Sequence, residues 1–227
     1  MEFMTAALSG KSVDSIAGVA TINNRNPLSR PNIHNLDQLP FIDIIILAEM
    51  IRHNGNSTKG IQATLPTSRG CAFCSISSGT KSNTGQAFRE LSVNKIAHEM
   101  LMIYEHYNIT DFYFCSAQFL PNDRSAAEEK ANLFYRAVSK LPFQPSIFLY
   151  IRCDNVTKPI AEHLSLSGVS TVFIGAESFD DLTLEKLEKG LSSTEIKKAL
   201  ELLQEVEYSC DYRAKRRMKL GFIMFTP

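Results

Sequence analysis

The sequence has no excess of either charge and no long hydrophobic run. Its 24 basic and 24 acidic side chains cancel, so no long-range field favours nucleic acid or an anionic membrane as the main partner. The most apolar stretch, residues 41–50, is interrupted by Asp43 and Glu49, and it is far shorter than the roughly 18 apolar residues of a membrane span. We therefore expect neither a nucleic-acid nor a membrane partner.

The sequence also lacks a secretory signal and an even set of cysteines. An acidic residue stands at position 2, and no cationic segment precedes an apolar one, which does not fit a signal peptide. The five cysteines are odd in number and scattered, a pattern that suits a reducing compartment. With 44% apolar and 21% charged residues, the composition is that of a globular protein, and we expect it to be cytoplasmic.

Short apolar runs alternate with amphipathic patterns from about residue 60 onward. The predicted strands are 61–67, 111–115, 146–153, 170–178 and 218–225, and the predicted helices are 93–107, 125–140, 159–166 and 193–205. Near-continuous apolar strands between such helices predict an α/β fold with a parallel sheet covered on both faces. Either a doubly wound sheet or a partial (β/α) barrel fits this alternation.

The fifth predicted strand is the last element before the sequence stops, and it would leave an open sheet edge. This arrangement predicts that the remaining elements belong to another polypeptide or that the product is truncated. The basic run RAKRRMK at 213–219 precedes this strand, and we interpret it as a solvated turn rather than a nucleic-acid site.

The stretch RGCAFC at 69–74 carries the strongest chemical signal. Cys71 and Cys74 follow an Arg-Gly turn, and a polar loop rather than a helix follows them. A redox-active CxxC opens a helix, so that function is disfavoured. None of the five histidines has ligand-like spacing to another histidine or to a cysteine, so a zinc site is poorly supported as well.

TSRGC followed by FCS resembles the cluster loop of radical S-adenosylmethionine (radical SAM) enzymes. Similarity continues through FRELSVNKIAHEM, through the long stretch from IRCDNV to LEKLEKG, and through KLGFIMFTP. The leading LSGKSVDSIAGVATINN, with NLDQLPF, resembles the end of a cobalamin-binding domain and its linker. The resemblance thus implies a linker over 1–60 and a partial TIM-like radical SAM barrel over 61–227, truncated after about five strands.

In that family a CxxxCxxC loop holds a [4Fe–4S] cluster that binds SAM and cleaves it reductively to a 5′-deoxyadenosyl radical. The resemblance implies a small-molecule or peptide substrate and an electron donor such as flavodoxin or ferredoxin. Some 60 residues cannot form a cobalamin-binding domain. Cobalamin is therefore expected only through a missing N-terminal domain or a companion subunit, which could also complete the barrel.

Two features depart from the family pattern. The loop supplies only Cys71 and Cys74, one thiolate short, and Ser116-Ala117 replaces an acidic pair at the end of strand two. Because parallel strands present their carboxyl ends at one face, we expect Cys71, Cys74, Cys115 and Cys153 at the same mouth. Cys115 is the candidate third metal ligand. Alternatively, Cys115 and Cys153 are buried small hydrophobes.

The resemblance also implies residues that contact the cofactor. Arg152, Asp154 and Glu177 end strands three and four, where they would line the ribose and methionine portions of SAM, and Phe73 and Ser116 complete the predicted set. Charged residues also end strands as simple caps. Two hypotheses follow: a radical SAM enzyme domain, or a catalytically degenerate barrel that acts as a binding or scaffold subunit.

Overall fold

The fold is known from a computed structural model, which describes residues 2–25, 28, 33, 35–41, 59–61, 64–65, 71–74 and 89–223. The chain divides into two compact units, Met1–His34 and Asn35–Pro227. The first contains helix α1 (Glu2–Leu8) and a loop in which the Asp14 carboxylate accepts hydrogen bonds from the hydroxyls of Ser12 and Thr21. In the described residues no helix is both long enough and apolar enough to cross a membrane.

The second unit is an α/β structure built on a parallel sheet. Its strands are β1 (Lys59–Ile61), β2 (Thr64–Leu65), β3 (Arg89–Glu90), β4 (Asp111–Phe114), β5 (Ser146–Ile151), β6 (Val169–Glu177), β7 (Tyr208–Ser209) and β8 (Arg216–Phe222). Its helices are α2 (Val93–Tyr107), α3 (Arg124–Val138), α4 (Lys158–Leu166), α5 (Asp181–Lys186) and α6 (Ser193–Glu205). The main sheet has the order β1-β4-β5-β6-β8-β7, all parallel, and β2 pairs with β3 in a separate antiparallel ribbon.

This order confirms the predicted partial (β/α) barrel, because each long strand lies beside the next in sequence and the described sheet does not close. Helix α2 has the predicted bounds, and the Ser92 side chain caps it by accepting from the backbone N–H of Lys95. The other predicted helices begin and end within two residues of their expected positions. Helical periodicity and capping residues therefore located this layer correctly.

The two faces of the sheet differ. Ile147, Leu149 and Ile151 of β5 are buried beneath the helices, whereas Phe148 and Tyr150 are half-buried on the other face. Helix α2 packs against α3, α3 against α4, and α4 against α6, as one layer. In the described part of the chain, equal cover on both faces is therefore not observed, and the aromatic face is the inner surface of the partial barrel.

Two strand predictions need correction. The single strand expected at 61–67 is divided, since β1 ends at Ile61 and β2 belongs to the separate ribbon. The last strand begins at Arg216, so Arg216 and Arg217 of the predicted basic turn lie in β8, where β7 pairs with them. Part of the edge that was expected to be open is therefore covered. Residues 224–225 of the predicted strand lie outside the described residues.

The segment before the barrel strands is anchored to α2. Leu36 is buried, the Asp37 carboxylate accepts from the backbone N–H of Ser92 at 2.8 Å, and the Lys95 ammonium donates to the Asp37 carbonyl at 2.9 Å. A domain boundary at residue 60 stays a prediction.

Gly168 follows α4 and Gly190 follows α5, and both lie in the left-handed region of backbone conformation. Comparing them allows a test of the packing around Gly168. Gly168 has φ +82°, and a Cβ there would lie 2.3 Å from the Pro145 carbonyl oxygen; Gly190 has φ +66° and open space around it. We expect Gly190→Ala to lower the free energy of unfolding by about 1–2 kcal/mol from backbone strain. Gly168→Ala adds a backbone clash and should cost about 3 kcal/mol or more. Equal losses in urea denaturation would contradict this account.

Candidate functional site

Cys71 and Cys74 stand at the two ends of a tight turn. The backbone N–H of Cys74 donates to the Cys71 carbonyl at 3.2 Å, and that of Ala72 donates to the Leu187 carbonyl at 3.0 Å. Leu187 caps the carboxyl end of α5 and is fully buried. The CxxC turn is therefore fixed to the α5 end, with Cys71 buried and Cys74 half-buried. Arg69 and Gly70, the predicted turn residues before Cys71, lie outside the described residues.

Arg152, directly after β5, reaches from Asp154 to the CxxC turn. Its Nε and Nη2 donate to the two carboxylate oxygens of Asp154 at 3.0 and 3.4 Å, and Nη1 donates to Cys71 Sγ at 3.8 Å. Nη2 also donates to the Lys189 carbonyl at 3.2 Å. Burial lowers the pKa of Arg152, but the Asp154 carboxylate and the Cys71 sulfur outweigh burial and raise it. The guanidinium is thus a fixed cation beside the Cys71 sulfur.

Lys189 and Glu177 form a second buried pair. The Lys189 ammonium lies 3.0 Å from Glu177 Oε1 with 6% and 13% of the two side chains exposed, and it lies 5.7 Å from the centre of the Phe73 ring. A Cβ on Gly175 would lie 2.5 Å from Glu177 Oε1 and 3.2 Å from Lys189 Nζ, so a larger residue there would displace the ends of the paired side chains. We call Arg152, Asp154, Glu177 and Lys189 the buried ion network.

Local backbone geometry places both members of this pair. Glu177 has φ +66° beside a register shift between β6 and β8. At the end of α5, Glu188 has φ +50° and the Lys189 N–H donates to the Leu184 carbonyl, which is a Schellman closure. Lys189 was not among the residues predicted for the site. Its signal was a lysine directly before glycine in LEKG, where helix closure turns the side chain back toward the sheet.

The structure brings most of the predicted site residues together. Cys71, Phe73, Arg152, Asp154 and Glu177 are joined through the contacts above. Their roles as ligands stay predictions.

Cys115 and Ser116 follow β4, which lies between β1 and β5 in the sheet. The Cys115 thiol is exposed and lies 3.6 Å from the Tyr113 carbonyl of its own strand, whereas Ser116 is buried. The alternative that Cys115 is a buried small hydrophobe is therefore wrong.

Cys153 does not face the mouth, which corrects the expectation that four thiols gather there. It is 2% exposed within the hydrophobic core, and its Sγ lies 3.9 Å from the Gly175 carbonyl. Burial raises the pKa of its thiol to about 11. The predicted strand 146–153 ends at Ile151, and Cys153 begins a 3₁₀ turn (Cys153–Asn155) whose Cys153 and Asn155 are buried, whereas Arg152 stays extended and reaches the CxxC turn.

The donor set for an iron–sulfur cluster can be tested by elimination. All five cysteines are described, and in the described residues no three His, Cys, Asp or Glu side chains converge on a single metal ion. Cys153 is in the core, and Cys210 follows β7, which pairs with the amino end of β8, away from Glu177. Cys115 is therefore the one thiol left to join Cys71 and Cys74. The structure does not bring Cys115 to the other two, so the described residues do not present the three converging thiolates that such a cluster takes.

Comparison with known proteins decides the family. Residues 68–212 match the family model described as the Radical SAM superfamily. The chain belongs to the radical SAM superfamily. It is 24% identical to an uncharacterised methyltransferase of Pyrococcus horikoshii, over 84% of this chain and 40% of the relative. It is 23% identical to 4′-phospho-dehydrooxetanocin synthase of Priestia megaterium, over 94% of this chain and 29% of the relative.

Solved structures share the fold of this radical SAM chain. The cobalamin-dependent radical SAM enzyme OxsB, solved with aqua-cobalamin and SAM, superposes with a TM-score of 0.74 at 19% identity, covering 98% of this chain and 31% of OxsB. The methyltransferase TsrM of Kitasatospora setae, solved with tryptophan and a SAM analogue, gives 0.71 at 14% identity, covering 100% of this chain and 44% of TsrM. The chain thus spans less than half the length of these relatives.

The burial of Cys153 predicts its reactivity. At pH 8 a thiol of pKa about 11 is ionised in about one molecule per thousand, against about one in ten at the ordinary value of 9.0. We expect Cys153 to react with iodoacetamide at least about a hundredfold more slowly than exposed Cys210 in the native protein. In urea the two rates should converge, as measured by peptide mass mapping. Native rates that are equal would show that Cys153 is not buried.

Proposed function

We propose that this chain is a radical SAM enzyme domain of the cobalamin-associated type, which binds SAM and an iron–sulfur cluster to modify a small-molecule or peptide substrate. One observation carries the proposal: the CxxC turn lies against the buried ion network at the carboxyl ends of the strands. Active sites of (β/α) barrels lie at that face. Buried charges that stay paired beside a possible metal ligand are a frequent mark of a functional site.

The Glu177–Lys189 pair suits the amino-acid portion of SAM. A zwitterion can enter such a pair by giving its carboxylate to Lys189 and its ammonium to Glu177. Each buried charge then keeps an opposite partner, so its desolvation is still compensated. The Lys189 ammonium also lies over the Phe73 ring, and this ring would border the space that the amino-acid portion of SAM occupies. In this proposal the Asp154 carboxylate and Arg152 lie toward the ribose of SAM. Ser116, which is buried after β4, also contributes to cofactor binding.

Cys71, Cys74 and Cys115 would hold the cluster. When bound, such a cluster supplies the electron that cleaves the sulfonium of SAM and yields the 5′-deoxyadenosyl radical. Arg152 places a positive charge beside Cys71, and Lys189 places a second one by the Phe73 ring of the same turn; these charges would offset the negative charge of thiolates and sulfides. An external donor such as flavodoxin or ferredoxin would provide the electron.

Cobalamin is not proposed to bind within this chain alone. OxsB and TsrM were solved with cobalamin bound, and both are more than twice as long as this chain. For this chain we propose that cobalamin, if used, comes from a further N-terminal domain or a companion subunit.

A degenerate binding or scaffold domain is the second candidate. It is favoured by the CxxC loop, which is one thiolate short, and by Cys115, whose thiol is directed at the Tyr113 carbonyl of its own strand. Such a domain would keep the fold and the buried ion network without the cluster.

Anaerobic reconstitution with iron and sulfide separates these candidates. The enzyme proposal predicts about four irons and four sulfides per chain, because [4Fe–4S] is the cluster type implied. Cys115→Ala should abolish the cluster, while Cys210→Ala, which removes an exposed thiol elsewhere, should not. A colourless chain, or zinc alone, would support the scaffold. A cluster that persists unchanged in Cys115→Ala would exclude Cys115 as a ligand.

SAM binding can be tested separately by calorimetry on the cluster-free chain. Loss of a charge-assisted hydrogen bond is worth about 1.5–3 kcal/mol, so Lys189→Gln should raise the Kd for SAM about tenfold to a hundredfold. Lys219→Gln is the matched control, because Lys219 is exposed on β8 and lies over the Phe148 ring. Unchanged affinity in a folded Lys189→Gln chain would remove Lys189 from the site.

A further inference from the structure

Four aromatic side chains form a continuous row on the inner surface of the partial barrel. Tyr113 of β4 stacks on Phe148 of β5 with ring centres 5.0 Å apart. The Phe148 and Tyr150 rings lie 5.3 Å apart, and Tyr150 lies 5.0 Å from Phe173 of β6. All four are half-buried, whereas the residues that alternate with them along the strands are buried beneath the helices. We call these four residues the aromatic row. A contiguous apolar surface of this kind is typical of a binding site.

Two hydroxyls give the aromatic row a polar point. The hydroxyls of Tyr113 and Tyr150 form a hydrogen bond of 2.8 Å. One of them donates this bond, and the other can donate its own proton to a ligand. The hydrogen bond with Tyr150 raises the pKa of Tyr113 to about 12, so the Tyr113 phenol stays protonated at neutral pH. The row therefore combines stacking surfaces with an uncharged hydrogen-bonding group, as small-molecule sites do.

Glycines on the same face leave space beside the row. Gly175 of β6 and Gly221 of β8 are partners in the sheet register, and both continue the inner-facing series of their strands. The Phe173 ring covers Gly221, where a Cβ would lie 2.9 Å from the ring. Because neither glycine adds a side chain, the end of the row at Phe173 is open toward the buried ion network that follows it at Glu177.

The charge nearest to the row is positive. Lys219 of β8 is exposed, and its ammonium lies 5.1 Å from the centre of the Phe148 ring. Arg217, two residues earlier on the same face of β8, is half-buried. The carboxylate on this face of β4 belongs to Asp111, which starts that strand and is exposed. The β8 side of the row therefore complements an anion.

We propose that the aromatic row and Lys219 bind a small molecule with a planar aromatic ring and an anionic group. As the substrate class of the enzyme, this inference rests on the proposed function, whereas the binding itself needs no cluster. The ring would stack on the exposed faces of the row, and its anionic group would lie toward the Lys219 ammonium. Stacking on an aromatic side chain is tolerant of the identity of the ring, so the site selects planarity and charge.

Three matched probes test this selection by calorimetry on the cluster-free full chain. Naphthalene-2-sulfonate is planar and anionic, decahydronaphthalene-2-sulfonate keeps the charge without the planar ring, and naphthalen-2-ylmethylammonium keeps the ring with the opposite charge. We expect the first to bind and each of the others to bind about tenfold more weakly or worse. No binding of the first probe, or equal affinity for the saturated or the cationic one, would overturn the inference.

Variants place the probe on the row. Tyr150→Leu keeps apolar bulk but removes the ring, and it should raise the Kd for naphthalene-2-sulfonate about tenfold. Its matched control is Tyr212→Leu, because Tyr212 is 73% exposed and lies outside the row. Lys219→Gln should raise the Kd about threefold, since an exposed ion pair is weak, while Lys215→Gln removes an exposed cation before β8 and should not. Unchanged affinity in Tyr150→Leu, or an equal loss in Tyr212→Leu, would contradict the proposal.

The adenine of SAM is also a planar ring, so the two sites must be separated. SAM at a concentration that saturates its own site should leave the Kd for naphthalene-2-sulfonate unchanged, and competition would assign the row to SAM and overturn the inference. If Tyr150→Leu does not fold, nuclear Overhauser contacts in the wild-type chain serve instead. They should join probe protons to the rings of Phe148 and Phe173, and their absence would exclude the row.

The outcomes also separate this inference from the proposed function. A chain that forms no cluster but binds naphthalene-2-sulfonate on the row would defeat the radical SAM activity and keep the ligand site. A chain that forms the cluster and binds SAM but ignores the probe would defeat only the inference about the aromatic row.

Discussion

Paired burial of four charges is the constraint on which the carboxyl end of the sheet depends. Arg152 with Asp154, and Lys189 with Glu177, are each almost enclosed by protein, and an unpaired charge in such a place would be strongly destabilising. This requirement accounts for the glycine at position 175, whose missing Cβ leaves room for the Glu177 carboxylate. It also accounts for the left-handed backbone of Glu177 and for the closure of α5 that directs Lys189 back to the sheet.

Local rules were sufficient to predict the layer of helices and most of the sheet. The bounds of α2 follow from the apolar residues Ile96, Met100 and Ile103 and from the capping hydroxyl of Ser92, all of which act within a few residues of one another. The strands from β4 to β6 could also be predicted from local sequence, because continuous apolar runs between amphipathic helices are typical of buried parallel strands. The family resemblance then supplied the barrel, which alternation alone could not distinguish from a doubly wound sheet.

The sequence alone could not predict contacts between residues that are separated along the chain. Lys189 lies 12 residues from Glu177, and only the folded sheet and the α5 end bring them together. The division of the first predicted strand has the same cause, since β2 is defined by its pairing with β3, which is distant in sequence. Cys153 is a different case. The strand ends two residues before it, and a 3₁₀ turn that starts at Cys153 buries its thiol in the core, whereas a general rule about strand ends placed it at the mouth.

The residues that we propose to bind SAM are held independently of those that we propose to bind the cluster. Glu177, Asp154 and Lys189 are held by β6, by the end of β5 and by the closure of α5, and none of these depends on the number of cysteines in the loop. The CxxC turn meets them at only a few points, the Ala72 N–H, the Phe73 ring and the Cys71 sulfur. A shortened loop can therefore lose a thiolate without disrupting the buried ion network. It follows that an intact network does not by itself establish redox activity, and that the enzyme and scaffold hypotheses differ at the single position where a third thiolate must come from the end of β4.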